Sequence, residues 1–139
     1  MTETKSHLAN PQWGGRFAAG PAAIMADINA SIGFDKRLWR QDIRGSLAHA
    51  AMLARVCLLP AEEETQLREG PPQIAVAIET RKFEFSTERE DLHMNIESRL
   101  SARLSDAGPR LHTARSLKYQ APTDFPRWAR VAFVGPLAP

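Results

Sequence analysis

The strongest pattern in this 139-residue sequence is an apolar residue at every fourth position over one stretch of its second half. Four residues form this stripe: Leu92, Ile96, Leu100 and Leu104. A spacing of four places the side chains on one face of an α-helix, and that face must be buried against other elements. Thr87 and Glu90 have the spacing of a capping box, which predicts the start of the helix, and Gly108-Pro109 is expected to end it. The chain must therefore fold by packing other elements around this face.

Two helices are predicted in the first part of the sequence. Pro21 suits the first turn of a short helix over residues 22–30. Residues 36–58 form the longest periodic segment, with Asp35 as its expected N-cap. Cys57 is the single cysteine and falls at an apolar position of this segment, so we expect a buried thiol in a reducing compartment.

Prolines are expected to interrupt helices at two places. A helix is predicted to begin at the three acids of residues 62–64, whose charge suits a helix N-terminus. Residues 70–72, Gly-Pro-Pro, should break it, because prolines remove backbone donors and disfavour helix in the preceding residue. Helix should then resume over residues 73–82. Three prolines should likewise interrupt a helix near the end of the sequence, at about 3 kcal/mol for each interior proline: Pro122, Pro126 and Pro136.

Composition fits a globular protein, and the predicted helices make its class all-α. The sequence is 43% hydrophobic and 24% charged, and its net charge of +2 is too balanced to indicate a nucleic-acid partner. Residues 1–12 lack the apolar core of a signal peptide, and no apolar run approaches the roughly 18 residues of a membrane span. We therefore expect a cytoplasmic chain with no membrane partner. It should have a flexible leader (1–12), a compact helical domain (13–111) and a further segment (112–139).

A histidine and a carboxylate beside the stripe are candidates for chemistry. His93 and Glu97 are four residues apart, so the carboxylate could orient or charge the imidazole. Three interpretations remain open: an exposed pair, a buried histidine–carboxylate bond or substrate contact, and a metal site. The metal site is the weakest, because the pair supplies only two ligands. His7 and His49 are interpreted as structural or surface residues.

The run from His112 to Ser116, HTARS, contains a ring nitrogen, two hydroxyls and a guanidinium within five residues. Arginine suits carboxylate or phosphate binding, and hydroxyls add neutral donors. No phosphate-binding loop, nucleophile elbow or zinc spacing accompanies this run. The residues alone therefore indicate a helical domain with a polar edge suited to anions.

Four stretches together resemble a known family. They are WGGRF, DINASIGFDKRLWRQDIRGSLAHAAML, FEFSTEREDLHMNIESRL and LHTARS. In order and spacing, over about residues 13–116, they resemble the N-terminal part of argininosuccinate lyase, of the fumarase/aspartase superfamily. The resemblance implies a compact N-terminal helical domain and a truncated start of the central helix bundle. It also implies a homotetramer that splits argininosuccinate into arginine and fumarate by β-elimination, a step of arginine biosynthesis that needs no metal or organic cofactor.

The resemblance also implies five substrate-binding positions. Ser31 matches a substrate-binding serine, Asp91 and His93 match polar residues that line the cleft, and Arg115 and Ser116 match the start of the family signature HT[AG]RSRNDQ. The signature continues with Arg-Asn-Asp-Gln, where this chain has Leu-Lys-Tyr-Gln over residues 117–120. A lysine thus replaces the asparagine that would bond the substrate.

The residues that carry the family's chemistry have no counterpart in these 139 residues. In the family, the acid–base histidine, the serine of a mobile Gly-Ser-Ser loop and a lysine-rich segment all follow later. We therefore expect no catalytic residue here and no lyase activity from this chain alone. Three origins remain open: a truncated or diverged lyase, a non-enzymatic binding module with a partial cleft, and a full-length gene read short near residue 117. Missing bundle helices should also expose apolar surface, which predicts self-association.

Overall fold

The computed structural model describes residues 23–104 and 107–135, and these residues are all-α, with no strand among them. The helices are α1 (Ala23–Asn29), α2 (Ile32–Asp35), α3 (Trp39–Arg55), α4 (Ala61–Glu79), α5 (Leu92–Leu104), α6 (Ala107–Arg110) and α7 (Leu117–Val134), with 3₁₀ turns at Lys36–Leu38 and Thr87–Arg89. The predicted fold class is confirmed. The predictions for the leader, WGGRF, His7 and Pro136 lie outside the described residues. Within the described part of the chain, no helix has the length and apolar character that crossing a membrane requires.

The core lies where the longer helices meet. α3 packs against α4 and α7, while α5 packs against α4 and α6. The apolar side chains with almost no exposed surface come from three of these helices: Leu53, Leu67, Ile74, Leu92 and Leu100. Burying one such side chain stabilises a fold by roughly 1.5–3 kcal/mol. This contact between helices therefore holds the functional residues of α3 and α5 in place.

The apolar stripe of α5 is buried as its spacing predicts. Leu92, Ile96 and Leu100 are each at most 2% exposed, and Leu104 is partly buried against the core. The polar residues of α5 that matter below lie beside this stripe, so their positions are set by apolar packing.

The capping box predicted at Thr87 and Glu90 is wrong. Thr87 lies in a 3₁₀ turn, Glu90 has φ 55°, and α5 begins later, at Leu92. The Asp91 carboxylate instead accepts a hydrogen bond from the Met94 amide at 2.8 Å, which is the bond that an N-cap side chain makes. An aspartate directly before the first helical residue replaces the more distant threonine in this role.

The N-cap predicted at Asp35 is also wrong. α3 begins at Trp39, after α2 and a 3₁₀ turn, and Asp35 makes no capping bond. Its carboxylate accepts hydrogen bonds from the Ser31 hydroxyl at 2.6 Å and from the Leu92 amide at 3.3 Å. Asp35 thus joins α2 to the start of α5, a contact that only the folded chain creates.

Cys57 is exposed, so the predicted buried thiol is wrong. α3 ends at Arg55, and Cys57 follows with φ 58° in the left-handed region. Its amide donates to the Ala54 carbonyl, and the Leu58 amide donates to the Leu53 carbonyl, both at 3.0 Å. These two bonds form a Schellman motif, which turns the residue after the helix away from the core.

α4 ends with the same motif. Arg81 has φ 57°, its amide donates to the Ile78 carbonyl at 3.1 Å, and the Lys82 amide donates to the Ala77 carbonyl at 2.8 Å. Glycine is usual at this position, because a side chain with a Cβ atom is strained at positive φ.

The break predicted at residues 70–72 is wrong, because α4 runs without interruption from Ala61 to Glu79. The clash that a proline imposes on the preceding residue involves that residue's Cβ atom, which Gly70 lacks. The same absence lets α4 approach α5, since a Cβ at Gly70 would lie 2.8 Å from Leu104 Cδ1 and 3.1 Å from Leu100 Cδ2.

The interruption predicted at Pro122 and Pro126 is wrong as well, because α7 continues through both. Both prolines are exposed. The carbonyl groups that they leave unbonded lie one turn earlier on the same exposed face, where water can bond them.

Large apolar side chains are exposed on α1 and α7. Ile24, Ile28, Tyr119 and Phe133 are each at least 67% exposed. Apolar surface of this kind supports the expected self-association, which stays a prediction that light scattering on the purified chain can test.

Replacing Arg81 by glycine should raise the free energy of unfolding by about 1 kcal/mol, because glycine adopts positive φ without the strain of a Cβ atom. Urea unfolding followed by circular dichroism measures the change. Arg81→Ala is the matched control: it removes the same charge but keeps Cβ, and should bring no comparable gain. Equal stabilisation by both variants would contradict the backbone explanation.

Candidate functional site

Polar side chains are buried together where α3, α5 and α7 meet. The members of this cluster are Asp42, Ser46, His93, Gln120 and Asp124, each at most 8% exposed. Burying polar groups is costly unless they are bonded to one another. The members of the cluster therefore need hydrogen bonds to one another.

Asp42 is the centre of this network. Its Oδ1 accepts hydrogen bonds from His93 Nδ1 at 2.6 Å and from Gln120 Nε2 at 3.2 Å. Nη2 of Arg115 lies 3.6 Å from the same oxygen, and Nη1 of Arg115 donates to Ser46 Oγ at 2.9 Å. Asp42 and Ser46 are four residues apart on α3 and share a face, so both can hold the one guanidinium.

Asp42 sets the protonation and orientation of His93. Burial by itself lowers the pKa of the imidazole, but the hydrogen bond to Asp42 and its charge, with smaller contributions from Asp91 and Asp124, raise the pKa above 6.5. Because Nδ1 is bonded to Asp42, the ring has a fixed orientation.

Arg115 is a buried cation with fixed partners. Burial lowers the pKa of its guanidinium, against the charges of Asp42, Asp124 and Glu97. A guanidinium in a protein nevertheless stays protonated. Its side chain is only 11% exposed, so this positive charge is held in one place and is weakly screened by solvent.

Asp124 is the least satisfied member of the cluster. Its side chain is 1% exposed, its Oδ2 has no hydrogen-bond partner, and this atom lies 4.0 Å from His93 Nδ1. Burial and the charge of Asp42 raise the pKa of Asp124 to about 6, although His93, Arg115 and Arg127 oppose the rise.

Gly45 of α3 faces charged groups of Arg115 and of α7 at ordinary van der Waals distance. A Cβ at Gly45 would lie 3.6 Å from Asp124 Oδ1, 3.8 Å from Arg115 Nη2 and 3.9 Å from Arg127 Nη1. A longer side chain at this position would displace these groups from the helix surface.

One group of metal-ligand type is present among the described residues. Asp42, His93 and Asp124 have ligand-type atoms within 4.8 Å of one another. The 2.6 Å contact between His93 and Asp42 is a hydrogen bond, and the Arg115 guanidinium already supplies positive charge at Asp42. This donor set has the chemistry of a proton-sharing network.

A small cavity adjoins the cluster. It has a volume of about 20 Å³, room for one water molecule, and His93, Glu97, His112, Arg115 and Gln120 are among its lining residues. Glu97 Oε2 lies 3.1 Å from His112 Nδ1. The cavity is thus polar on several sides and could hold a bound water next to the imidazole.

The five predicted substrate-binding residues lie in two places. His93 and Arg115 meet at Asp42 in the buried cluster. Ser31 and Asp91 lie at the junction of α2 and α5, where the Ser31 amide donates to the Glu90 carbonyl at 2.8 Å. Burial raises the pKa of Asp91, against the Met94 amide bond and the charge of His93.

Ser116 is the N-cap of α7, and its hydroxyl accepts a hydrogen bond from the Lys118 amide at 3.2 Å. The substrate-binding roles of Ser31, Asp91, His93, Arg115 and Ser116 stay predictions.

The predicted pairing of His93 with Glu97 is wrong. His93 bonds Asp42, from another helix, while Glu97 pairs with His112. Of the three interpretations, the buried histidine–carboxylate bond is the one observed, with a different carboxylate. His49 contacts the Thr113 carbonyl at 2.9 Å through Nε2, as a structural role requires.

Sequence reasoning missed four members of the cluster: Asp42, Ser46, Gln120 and Asp124. A signal was present on α3, where Asp42 and Ser46 continue, at steps of four, the face on which Ala50 is buried. Polar residues at the buried phase of a helix need partners, which marks them as members of an internal network.

The Asp42→Asn variant should lower the pKa of His93, because the amide keeps the shape of the carboxylate but removes its charge. The titration of the His93 ring, followed by NMR, measures this, and circular dichroism checks that the helices persist. Glu97→Gln is the matched control and should leave the midpoint unchanged, because Glu97 pairs with His112. An unchanged midpoint in Asp42→Asn would contradict the assignment of Asp42 as the partner.

Comparison with known proteins shows a similarity over most of the sequence. No protein-family model matches the sequence. The chain is 54% identical over 130 residues to argininosuccinate lyase of Chelativorans sp. (strain BNC1). The match covers 94% of this chain and 27% of that protein, so the chain spans about a quarter of its relative. The resemblance predicted from the four sequence stretches is confirmed: over these residues the chain is a homologue of the N-terminal part of argininosuccinate lyase.

Proposed function

We propose that this chain carries part of the substrate cleft of an argininosuccinate lyase and does not turn over substrate by itself. The 54% identity to a lyase supports the family part of this proposal. The observation that carries the site is the meeting of His93 and Arg115 at Asp42. Two separate stretches of the resemblance, EDLH and HTARS, supply the histidine and the arginine.

The proposed reaction explains why such a cluster is useful. In a β-elimination of argininosuccinate, a base removes a proton next to a carboxylate, and negative charge builds up on that carboxylate. Fixed cations and donors stabilise this charge without having to reorganise during the reaction. A guanidinium held by Asp42 and Ser46 meets this requirement.

A surface cleft next to Arg115 offers space for a ligand. It has a volume of about 220 Å³ and lies between α3 and the start of α7, with His49, Arg115, Tyr119 and Thr123 among its lining residues. We propose that this cleft takes a carboxylate group. The lysine at position 118, in the first turn of α7, is exposed and adds positive charge near it.

The purified 139-residue chain should release no fumarate from argininosuccinate. The reason is that no residue of the cluster is assigned as the acid or the base of the elimination. Fumarate absorbance followed over time measures the reaction, with heat-treated chain as the control. Turnover clearly above that control would refute the proposal of inactivity.

Isothermal titration with arginine, fumarate and argininosuccinate tests the cleft. A carboxylate ligand should bind the wild-type chain and lose at least about tenfold in affinity in Arg115→Ala, which removes a charge-assisted bond of about 1.5–3 kcal/mol. Arg110→Ala is the matched control, since Arg110 is an exposed residue that pairs with Glu63 at 3.3 Å. Absence of binding by all three ligands would contradict a retained cleft.

The alternative is a non-enzymatic interaction module. The exposed apolar residues of α1 and α7 favour it, because they offer surface to another protein. Ligand binding that depends on Arg115 would favour the cleft, whereas association without ligand binding would favour the module.

A further inference from the structure

We propose that a proton on Asp124, which is buried beside Asp42 and His93, fastens α7 to the rest of the domain, so that docking of α7 strengthens as the pH falls from about 8 to about 5.5. Asp124 is thus a positioning residue whose protonation holds α7, and with it Arg115, against α3. The proposal rests on the geometry of the cluster and is independent of the lyase function.

The contact that docks α7 is polar. Among the side chains of α7 that the structure describes, the buried ones are Gln120 and Asp124. The large apolar side chains Tyr119, Phe125 and Phe133 are exposed instead. Trp128 is the one large apolar side chain described on α7 that is partly buried. The fully buried groups in this contact are polar, so their protonation affects its strength.

The buried end of α7 has two acceptor oxygens without a hydrogen-bond partner. They are Asp124 Oδ2 and Gln120 Oε1, which belong to residues one helical turn apart. An ionised carboxylate can only accept hydrogen bonds, whereas a protonated carboxyl also donates one. A proton on Asp124 Oδ2 therefore turns an acceptor without a partner into a donor. Gln120 Oε1, which also lacks a partner, is an acceptor in the same buried region.

His93 cannot satisfy both carboxylates through one nitrogen. Its Nδ1 is 2.6 Å from Asp42 Oδ1 and 4.0 Å from Asp124 Oδ2, so this nitrogen makes its hydrogen bond to Asp42. Two carboxylates that share one partner in a buried place disfavour each other's ionised form. Asp124 is the one left without the bond.

Charged groups from several elements act on Asp124. α3 provides Asp42, α5 provides His93, the segment before α7 provides Arg115, and α7 itself provides Arg127. His49 of α3 lines the cleft on which Asp124 also borders. The positive groups limit the cost of ionised Asp124 but do not remove it, because its pKa is still raised to about 6.

The raised pKa of Asp124 sets the direction in which stability changes with pH. A carboxyl whose pKa is raised from 3.8 to about 6 contributes stability that is complete below 3.8 and is lost as the pH rises through 6. The pKa of His93 is raised as well, so its contribution is complete below 6.5 and is lost as the pH rises through its folded value. Both groups therefore stabilise the docked state more at acidic pH.

The test compares wild type with Asp124→Asn, whose amide resembles the neutral carboxyl. Urea unfolding at about pH 8 and about pH 5.5 gives the unfolding constants. At each pH, the unfolding constant of wild type is divided by that of Asp124→Asn. This ratio should be about fourfold smaller at pH 5.5 than at pH 8, which means that wild type gains stability on acidification. Fourfold is the change expected for one group whose pKa is moved from 3.8 to about 6. Asp27→Asn, at an exposed carboxylate of α1, is the matched control and should follow the wild-type pH profile.

An unchanged ratio, or a ratio that rises on acidification, would overturn the proposal. If Asp124→Asn does not fold, the carboxyl carbon of Asp124 in the wild-type chain decides the matter by ¹³C NMR. A midpoint near 6 supports the proposed proton on Asp124, and a midpoint near the ordinary 3.8 overturns it.

Discussion

The hydrogen bond between Asp42 and His93 is the interaction on which the buried polar cluster of this domain depends. It joins α3 to α5 at 2.6 Å, and the same carboxylate oxygen accepts a hydrogen bond from Gln120 of α7. Removing one partner of a buried charged pair typically costs about 3–5 kcal/mol, because the other is left without compensation. Three helices therefore share one buried carboxylate, and the position of Arg115 follows from it.

A glycine permits one close approach between helices. Gly70 lets α4 come near α5, since a Cβ there would lie 2.8 Å from Leu104 Cδ1. The prolines of α4 and α7 do not prevent this packing. At Gly70 there is no Cβ to clash with the following ring, and on α7 the prolines lie on the exposed face. A helix interior is thus less restrictive than the prolines by themselves suggest, because Gly70 removes one clash and solvent can bond the carbonyl groups left open on α7.

The proposed function and the proposed proton both depend on the same preorganised charge. In the proposed function, Arg115 would serve as a cation for a carboxylate while α7 is docked, with Gln120 and Asp124 buried against the cluster. A carboxylate ligand in the cleft beside Arg115 would add negative charge near Asp124 and would favour its protonated form. Ligand binding and proton uptake should therefore support each other, as linked equilibria do.

The sequence by itself determined the all-α class, the buried face of α5 and the resemblance to argininosuccinate lyase. Apolar periodicity and motif spacing are local properties, and a helix retains them whatever it packs against. Only the tertiary structure decided the partner of His93, the caps of α3 and α5, the exposure of Cys57 and the continuity of α4 and α7. Asp42 lies 51 residues before His93, and helical spacing relates only residues three or four apart, so the sequence indicated Glu97 instead. Partners on different helices are selected by how the apolar faces pack, and that selection is made only when the chain folds.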